Sequence, residues 1–455
     1  MKKFLSIIAM FCLAISIFTF SGCAVSLSAG PKKDDAVTSN GGLVVRKGDY
    51  LYFANGYVSN SSLSGKDNNY GVARNGAIYR AKLQNGELMY DVTLDEDENE
   101  VKTLKNVELV CPMVAGFEYT NLYIFGNTIY FATPNTEKDK TGKIRFDLTD
   151  IYAVGINGGN VKKLVNALNI SSKDSFNFSY IDGKVYLTYL NENELFNLKI
   201  SGSKVENKTK VASSVSSYAI NENGDNYVYY TRAVNDDEKS LTGNVLAKAN
   251  LTTNKETILK RDNNNTYTVK KVANGKIFYT RTNTLTTNAY IYSKNLEDFE
   301  TNEEKQYTVV AYSSNQYILS VEGYDAGVIV SDNNKLLYLT GTKNLETDIT
   351  TLYDGDFTVL SIFGTKIYGK DSESNLLRID VSNKKVDTIL TKDVEFNFDM
   401  DSKFDYENGY AYYYVKYTGD EKTGYYLNRV YLNAQEKETE LVGVVLSEHK
   451  KQNKK

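Results

Sequence analysis

Tryptophan is absent from this sequence, and histidine, cysteine and proline are scarce. Its 455 residues include one His, three Cys and three Pro. The only histidine, His449, lies in a charged C-terminal stretch, so a histidine-based catalytic triad is not expected. No Cys and His residues have the spacing of zinc ligands, and we expect neither a metal site nor a cofactor. The few prolines leave no proline-rich linker that would separate domains.

Positive charge is not in excess either. The formal net charge is −4, so the chain lacks the basic surface that binds phosphate backbones, and nucleic acid is not an expected partner. The densest acidic run, at residues 95–100, lacks the glycine turn and alternating spacing of a calcium loop, so we interpret it as a solvated hairpin tip. Glycosidases need two carboxylates roughly 5–10 Å apart, and the sequence distinguishes no such pair.

The N-terminus has the pattern of a secretory leader. Two lysines precede an apolar run at residues 5–20 that is short for a membrane span. The run ends in Phe20-Ser-Gly-Cys23, which resembles the bacterial lipoprotein signal, although Phe20 stands where Leu is usual. This resemblance implies that residues 1–22 are a lipoprotein signal peptide, that Cys23 is lipidated, and that the protein is anchored to the cell membrane, facing outside the cytoplasm. An ordinary secretory peptide or an uncut anchor is the alternative.

One cysteine remains for the folded protein. Cys12 leaves with the leader and Cys23 carries lipid, so Cys111 cannot form an intrachain disulfide. Its apolar neighbours predict a buried structural thiol. Residues 23–42 are small, polar and charged, and we expect them to form a flexible tether, while residues 447–455 are expected to form a basic disordered tail.

Most of the chain repeats one short unit, a turn followed by a β-branched and aromatic run, as in Asn274–Arg281. The central position of each copy is Tyr52, Tyr130, Tyr186, Tyr229, Phe278, Ile329, Tyr368 or Tyr412. The intervals are near the ~40–50 residues of known propeller repeats, and further short strands flank each copy. We therefore predict an all-β protein with a single β-propeller of four-stranded antiparallel blades over residues 43–446. Eight blades is the favoured count, seven is the alternative count, and an open β-solenoid is the alternative fold.

The sequence pattern of the repeat also resembles that of a known family. Strands such as Gly126-Asn-Thr-Ile-Tyr-Phe131 and Ile78-Tyr-Arg-Ala-Lys-Leu83, and the turn Gly158-Gly-Asn-Val-Lys-Lys-Leu164, resemble the low-density-lipoprotein-receptor-like propellers in secreted proteins of Firmicutes. Those domains have no assigned function, so the resemblance implies a fold and no particular activity. It also implies that the connections between second and third strands lie at one end of the ring.

These connections differ in length, and long loops on a rigid scaffold are common recognition sites. They are long at residues 55–77, 134–150, 232–244 and 418–425, and short at 191–194 and 332–334. Candidate binding residues in or beside them are Tyr57, Asn68, Asn69, Tyr70, Arg74, Arg145, Arg232, Asp236, Arg281 and Tyr425. The alternative interpretation is that the loops drifted in length without function. The insertion at residues 84–106 points to the opposite end and is expected to be a hairpin.

The leading functional hypothesis is a non-enzymatic, monomeric, lipid-anchored module that binds a protein or a cell-wall glycan. No catalytic motif is seen. One alternative is a carboxylate-dependent glycan hydrolase or lyase with its site in the central channel. The other is a purely structural scaffold of a surface complex.

Overall fold

The computed structural model describes residues 27, 29–57, 76–95, 97–116, 121–143, 145, 147–169, 176–221, 225–235, 243–297, 299–301, 303–307, 316–321, 324, 326–332, 334–341, 349–391, 406–407, 409–417, 424–434 and 439–443. These residues form antiparallel strands, turns and connections, without any helix among them. Within this part of the chain, no helix has the length and apolar character needed to cross a membrane. The fold is an eight-bladed β-propeller, which confirms the predicted class and the favoured blade count.

The first eleven strands form blades 1 and 2 and a separate hairpin. These are β1 (Val37–Thr38), β2 (Val44–Lys47), β3 (Tyr50–Ala54), β4 (Ala77–Lys82), β5 (Tyr90–Leu94), β6 (Glu100–Leu104), β7 (Val107–Val114), β8 (Tyr123–Phe125), β9 (Thr128–Pro134), β10 (Thr149–Gly155) and β11 (Gly158–Leu168). The strand order is β1-β2-β3-β4-β7 in blade 1 and β11-β10-β9-β8 in blade 2. Strands β5 and β6 form a separate hairpin, as predicted for residues 84–106.

Blades 3, 4 and 5 each have four strands in sequential order. They are β12 (Phe176–Ile181), β13 (Lys184–Asn191), β14 (Glu194–Ser201), β15 (Lys204–Ala212), β16 (Val215–Ile220), β17 (Tyr227–Arg232), β18 (Val245–Asn250), β19 (Glu256–Lys260), β20 (Asn265–Ala273), β21 (Lys276–Asn283), β22 (Ala289–Asn295) and β23 (Lys305–Tyr307).

Blades 6, 7 and 8 repeat the same sequential order. Their strands are β24 (Gln316–Leu319), β25 (Gly327–Asp332), β26 (Lys335–Leu339), β27 (Ile349–Asp354), β28 (Phe357–Phe363), β29 (Lys366–Asp371), β30 (Leu376–Asp380), β31 (Lys385–Leu390), β32 (Tyr406–Glu407), β33 (Tyr410–Tyr417), β34 (Gly424–Tyr431) and β35 (Thr439–Leu441).

The chain forms two compact units. Unit 1 comprises residues 1–167, 412–429 and 440–455, and unit 2 comprises residues 168–411 and 430–439. Within each unit, the apolar side chains of one blade pack against those of the next. In unit 1 a single cluster joins Tyr52 and Ile78 of blade 1 to Ile129 and Phe131 of blade 2. Every residue of β3 in blade 1 is buried, so both faces of this strand are packed, which explains why its sequence is a continuous aromatic and apolar run.

Unit 2 has the same packing between successive blades. Separate clusters fill the spaces between blades 3 and 4, 4 and 5, 5 and 6, and 6 and 7. The central aromatics Tyr229, Phe278 and Tyr368 are at most 1% exposed. Full burial of such a side chain contributes roughly 1.5–3 kcal/mol, so this repeated position stabilises every blade in the same way.

The turn that opens the repeat has a backbone that suits its residues. Between β20 and β21, Asn274 and Gly275 have φ of 49° and 69°, and Ala273 pairs with Lys276. A two-residue hairpin turn with positive φ at both positions favours Asn-Gly. The run Asn274–Arg281 is therefore a tight turn followed by the second strand of blade 5, as the repeat indicated.

The first sheet begins within the segment that we predicted as a tether, residues 23–42. Val37 and Thr38 of β1 pair with Lys47 and Arg46 of β2. Lys47, only 1% exposed, also donates hydrogen bonds of 2.9 Å to the carbonyl oxygens of Lys33 and Asp35. These contacts are made through a two-residue strand and through backbone carbonyl groups, which is why composition did not reveal them.

Cys111 is buried, as its apolar neighbours predicted. It lies on β7 with 0% exposure and belongs to the cluster between blades 1 and 2. Burial raises the pKa of its thiol to about 12, despite a hydrogen bond from the Met113 backbone that acts in the opposite direction. The thiol is therefore protonated at neutral pH and contributes packing.

Candidate functional site

The strand bounds show two kinds of connection between second and third strands. In blades 1, 2 and 4 the connections span residues 55–76, 135–148 and 233–244. In blades 3, 5, 6, 7 and 8 they span only residues 192–193, 284–288, 333–334, 372–375 and 418–423. The connection that we predicted as long at residues 418–425 is therefore short, because β34 already begins at residue 424. The long connections leave from buried strand ends, since every residue of β3 and most residues of β9 are buried. Recognition sites commonly consist of variable loops that are held by a rigid scaffold, as these connections are.

Several predicted residues lie outside the described part of the chain. These are Cys23, Asn68, Asn69, Tyr70, Arg74 and Asp236. The predicted residues that the structure describes are Tyr57, Arg145, Arg232, Arg281 and Tyr425.

Tyr57 and Tyr425 join the connections of blades 1 and 8. The Tyr57 backbone N–H donates to the Tyr425 carbonyl at 3.1 Å, and the two rings meet edge to face with centroids 5.8 Å apart. Tyr57 is 4% exposed and also contacts the Tyr414 ring, at 5.6 Å, whereas Tyr425 is half-buried. The Tyr57 ring therefore packs the base of two connections, and Tyr425 is the one with surface left for a partner.

Arg145 lies in the connection of blade 2 beside Asp147. Its Nη2 is 2.7 Å from Asp147 Oδ2, and both side chains are exposed. The ion pair lowers the pKa of the Asp147 carboxyl. Both charges are directed to solvent, so this pair is accessible to a partner.

A buried carboxylate that the sequence reasoning missed holds the base of the same connection. Asp150, 1% exposed, accepts hydrogen bonds from Asn135 Nδ2 at 2.7 Å and from the Ala167 N–H at 2.8 Å. Lys163 Nζ is 2.9 Å from its other oxygen. The signal was an aspartate at the start of an otherwise apolar strand, Asp150-Ile-Tyr-Ala-Val154, and it marks a structural anchor because every charge in it is compensated.

In unit 2, Arg232 is buried in a two-point ion pair with Glu256. Its Nε and Nη2 lie 3.0 and 2.8 Å from the two carboxylate oxygens, and the side chain is 4% exposed. The hydroxyl of Tyr230 donates to the same carboxylate. Burial and this hydrogen bond raise the pKa of Tyr230. Arg232 thus positions the base of the blade 4 connection.

Arg281 belongs to a cluster that crosses from blade 5 to blade 4. Its Nη1 is 2.8 Å from Glu304 Oε2, and its guanidinium lies 3.9 Å above the Tyr292 ring. Glu304 also pairs with Lys260 of blade 4 and accepts a hydrogen bond from the Tyr279 hydroxyl. One carboxylate therefore holds two cations and a phenol. Beside this cluster, blades 4 and 5 form a cleft lined by Lys260, Tyr267, Lys294 and Phe299. The sequence had no signal for this cleft, because its walls come from different repeats.

No group of three or more His, Cys, Asp or Glu side chains suited to hold a metal ion is found within the described ranges. The charged groups described above are arginine–carboxylate and lysine–carboxylate pairs. Their chemistry is charge recognition and hydrogen bonding.

No family model matches this chain, and no curated protein sequence matches it. Solved structures are similar to it at low identity. An oligogalacturonate lyase in complex with manganese matches at 11% identity and a TM-score of 0.39, over 75% of this chain and 95% of that chain. AztD from Citrobacter koseri matches at 10% identity and a TM-score of 0.38, over 76% and 85%. A eukaryotic initiation factor matches at 10% identity and a TM-score of 0.44, over 91% of each chain. Matches with identities and TM-scores this low indicate nothing about a site or an activity of this chain.

Proposed function

We propose that this protein is a lipid-anchored, extracytoplasmic binding or scaffold module without catalytic activity. It binds a protein or a cell-wall glycan through the long connections between second and third strands. The observation that carries the proposal is the contrast between long connections on blades 1, 2 and 4 and short connections on the other blades. The membrane location rests on the lipoprotein-like leader and on acylation of Cys23.

The bases of these connections support a binding role. Tyr57 and Tyr425 hold two connections together, and Asp150 and Arg232 anchor two others through compensated charges. Preorganised loop bases reduce the entropy lost when a partner binds. Exposed groups such as Arg145 and Asp147 are then available for polar contacts.

The test is capture of a partner by the full chain on intact cells, followed by mass spectrometry and by binding assays with purified wall glycan. A variant in which a short Gly-Ser linker replaces residues 58–75 keeps both Tyr57 and Gly76, and should lose the captured partner. The matched control replaces the hairpin tip, residues 95–99, with Asn-Gly and should keep it. Equal capture by both variants, or turnover of a glycan by the wild-type chain, would contradict the proposal.

The membrane anchor has its own test. Cys23→Ala removes the acylated thiol and should move the protein from the membrane fraction to the culture medium or to the soluble fraction. Cys111→Ala is the control and should leave the protein in the membrane fraction, because that thiol is buried in the fold. Membrane retention of the Cys23→Ala variant would show that the lipoprotein interpretation is wrong.

A further inference from the structure

A cleft of about 440 Å³ lies between blades 4 and 5 in unit 2. One wall is the end of β19, with Lys260, and the residues that follow it, Arg261 and Asp262. The other wall includes Lys294 of β22 and the turn residue Phe299. We call it the Lys294 cleft.

Lys294 is nine-tenths buried in this cleft, with 9% exposure, and has no oppositely charged side chain in contact with it among the described residues. Its Nζ lies 4.6 Å from the centroid of the Phe299 ring, and neither an ion pair nor a hydrogen bond joins it to another residue in the described ranges. Burial, followed by the nearby charge of Lys260, lowers the pKa of Lys294, and Glu300 acts in the opposite direction. A desolvated ammonium without a partner is unfavourable by itself, so an anion that enters the cleft gains a strong interaction.

Two of the three carboxylates near this lysine are engaged elsewhere, and the third, Glu300, is an exposed residue of the cleft lining that makes no ion pair with Lys294 in the described ranges. Glu304 pairs with Lys260 and Arg281 and accepts a hydrogen bond from Tyr279. Asp262 accepts hydrogen bonds from the Tyr267 hydroxyl, from the Asn264 N–H at 2.9 Å and from Asn265 Nδ2 at 3.0 Å. Lys294 is therefore the cation of the cleft whose charge is left for a ligand.

We propose that the Lys294 cleft binds an oxyanion, the carboxylate or phosphate group of a small molecule or of a polymer unit. The Lys294 ammonium donates a charge-assisted hydrogen bond to the anion, and Lys260 adds positive potential from the opposite wall. The cleft volume admits one monosaccharide-sized group beside the lysine. This site uses residues other than those of the long connections, so a test of the cleft does not depend on whether the proposed function is correct.

The experiment is calorimetric titration of the full chain, purified in a neutral detergent, with inorganic phosphate, with glucuronate and with glucose. We expect saturable binding of phosphate, glucuronate or both, and no binding of glucose. Lys294→Met should weaken that binding at least about tenfold, which is the loss expected for one charge-assisted hydrogen bond. Lys208→Met is the matched control, because Lys208 lies 4.5 Å over the Phe196 ring but is exposed, and it should leave the affinity unchanged.

The pattern among the probes separates the sources of the anion. Binding of glucuronate alone assigns the cleft to a uronate carboxylate, and binding of phosphate alone assigns it to a phosphate ester or free phosphate. Binding of both supports recognition of the oxyanion itself. The proposal is overturned if neither anion binds, if glucose binds equally well, or if Lys294→Met and Lys208→Met have the same effect.

Discussion

Arg80 on β4 of blade 1 and Lys294 on β22 of blade 5 are both buried cations, each on the strand that follows the central-aromatic strand in the chain, but their surroundings differ. Arg80, with 0% exposure, has its Nε and Nη2 2.9 and 2.8 Å from Glu108 Oε2 on the next strand of the sheet. It also lies over the Tyr50 ring and donates to the Ile156 carbonyl of blade 2 at 3.3 Å. Lys294 has an aromatic ring but no carboxylate in contact.

The difference indicates that a compensated cation stabilises a blade, whereas an uncompensated cation is suited to a ligand. Blades 7 and 8 repeat the compensated arrangement. Arg378 pairs with Asp387 at 2.7 Å, and Arg429 pairs with Glu440 at 2.7 Å, in each case from the third to the fourth strand. In blade 5 the fourth strand begins next to Glu304, which is already bound to Lys260 and Arg281.

The largest effect is expected when the compensated cation is removed. Arg80→Met leaves Glu108 without this cation and removes one of two donors to the Ile156 carbonyl, which keeps its hydrogen bond from the Tyr52 hydroxyl, so the free energy of unfolding should fall by about 3–5 kcal/mol. Urea unfolding followed by tyrosine fluorescence measures this change. Lys208→Met, at an exposed site, is the control. A loss below about 1 kcal/mol would mean that the buried pair contributes no more than a surface pair.

A second prediction uses pH on another compensated pair, Asp380 with Lys366. Burial by itself would raise the pKa of Asp380, but hydrogen bonds from Lys366 and Ser382 outweigh it and lower the pKa to about 2. The unfolded carboxyl titrates near 4, so the stabilisation is present above pH ~4 and is lost as the pH falls through about 2.

Asp380→Asn should therefore lower the free energy of unfolding by about 1–2 kcal/mol at pH 7, after allowance for solvent screening, and the difference from wild type should vanish toward pH 2. Denaturant titrations of both proteins at pH 7, 4 and 2.5 measure the trend. A difference that stays constant over this range would show that the ionised carboxylate is not the source of the stabilisation.

Removal of the uncompensated cation should not lower the free energy of unfolding. Lys294→Met replaces a desolvated ammonium with an apolar side chain of similar length beside Phe299, so the free energy of unfolding should stay constant or rise by up to about 1 kcal/mol. The same urea titration applies, without any anion in the buffer. A clear loss of stability would show that Lys294 has a structural role and would weaken the contrast with Arg80.

The smallest effect is expected at an exposed pair. Arg145 and Asp147 are 40% and 63% exposed, so Arg145→Met should leave the unfolding midpoint unchanged within error. Its influence should be limited to partner capture, where the exposed guanidinium is a candidate contact. A lowered midpoint would show that the connection of blade 2 contributes to the stability of the fold.

Much of the fold was predictable because each blade repeats the same packing problem. Tyr52, Tyr130 and Phe278 occupy the same strand position and are all buried, so the repeat in the sequence follows from a repeat in the core. The β5–β6 hairpin and the burial of Cys111 were also predictable, since both depend on neighbouring residues in the chain. The pairing of β1 with β2 was not, because two residues of strand have no recognisable period.

The candidate sites were less predictable than the fold. Arg232 and Arg281 were singled out as loop residues, and each has a carboxylate partner more than twenty positions away in the chain, Glu256 and Glu304. Tyr57 was singled out for the same reason and is 4% exposed against Tyr414 and Tyr425. Pairing between distant residues decides whether a charge is free or compensated, and local sequence does not contain it.

By itself, the sequence determined the eight-fold repeat, the four strands that all blades share and the lengths of most connections. These depend on local alternation, turn residues and the aromatic at the centre of each second strand, as in Asn274–Arg281. Tertiary structure alone decided which cations are compensated. Arg80 pairs with Glu108 within its own sheet. Lys294 faces blade 4, and the nearby carboxylate of Glu304 already pairs with Lys260 of that blade. The physical reason is that charge compensation depends on distances of a few ångströms between side chains that different strands and blades bring together.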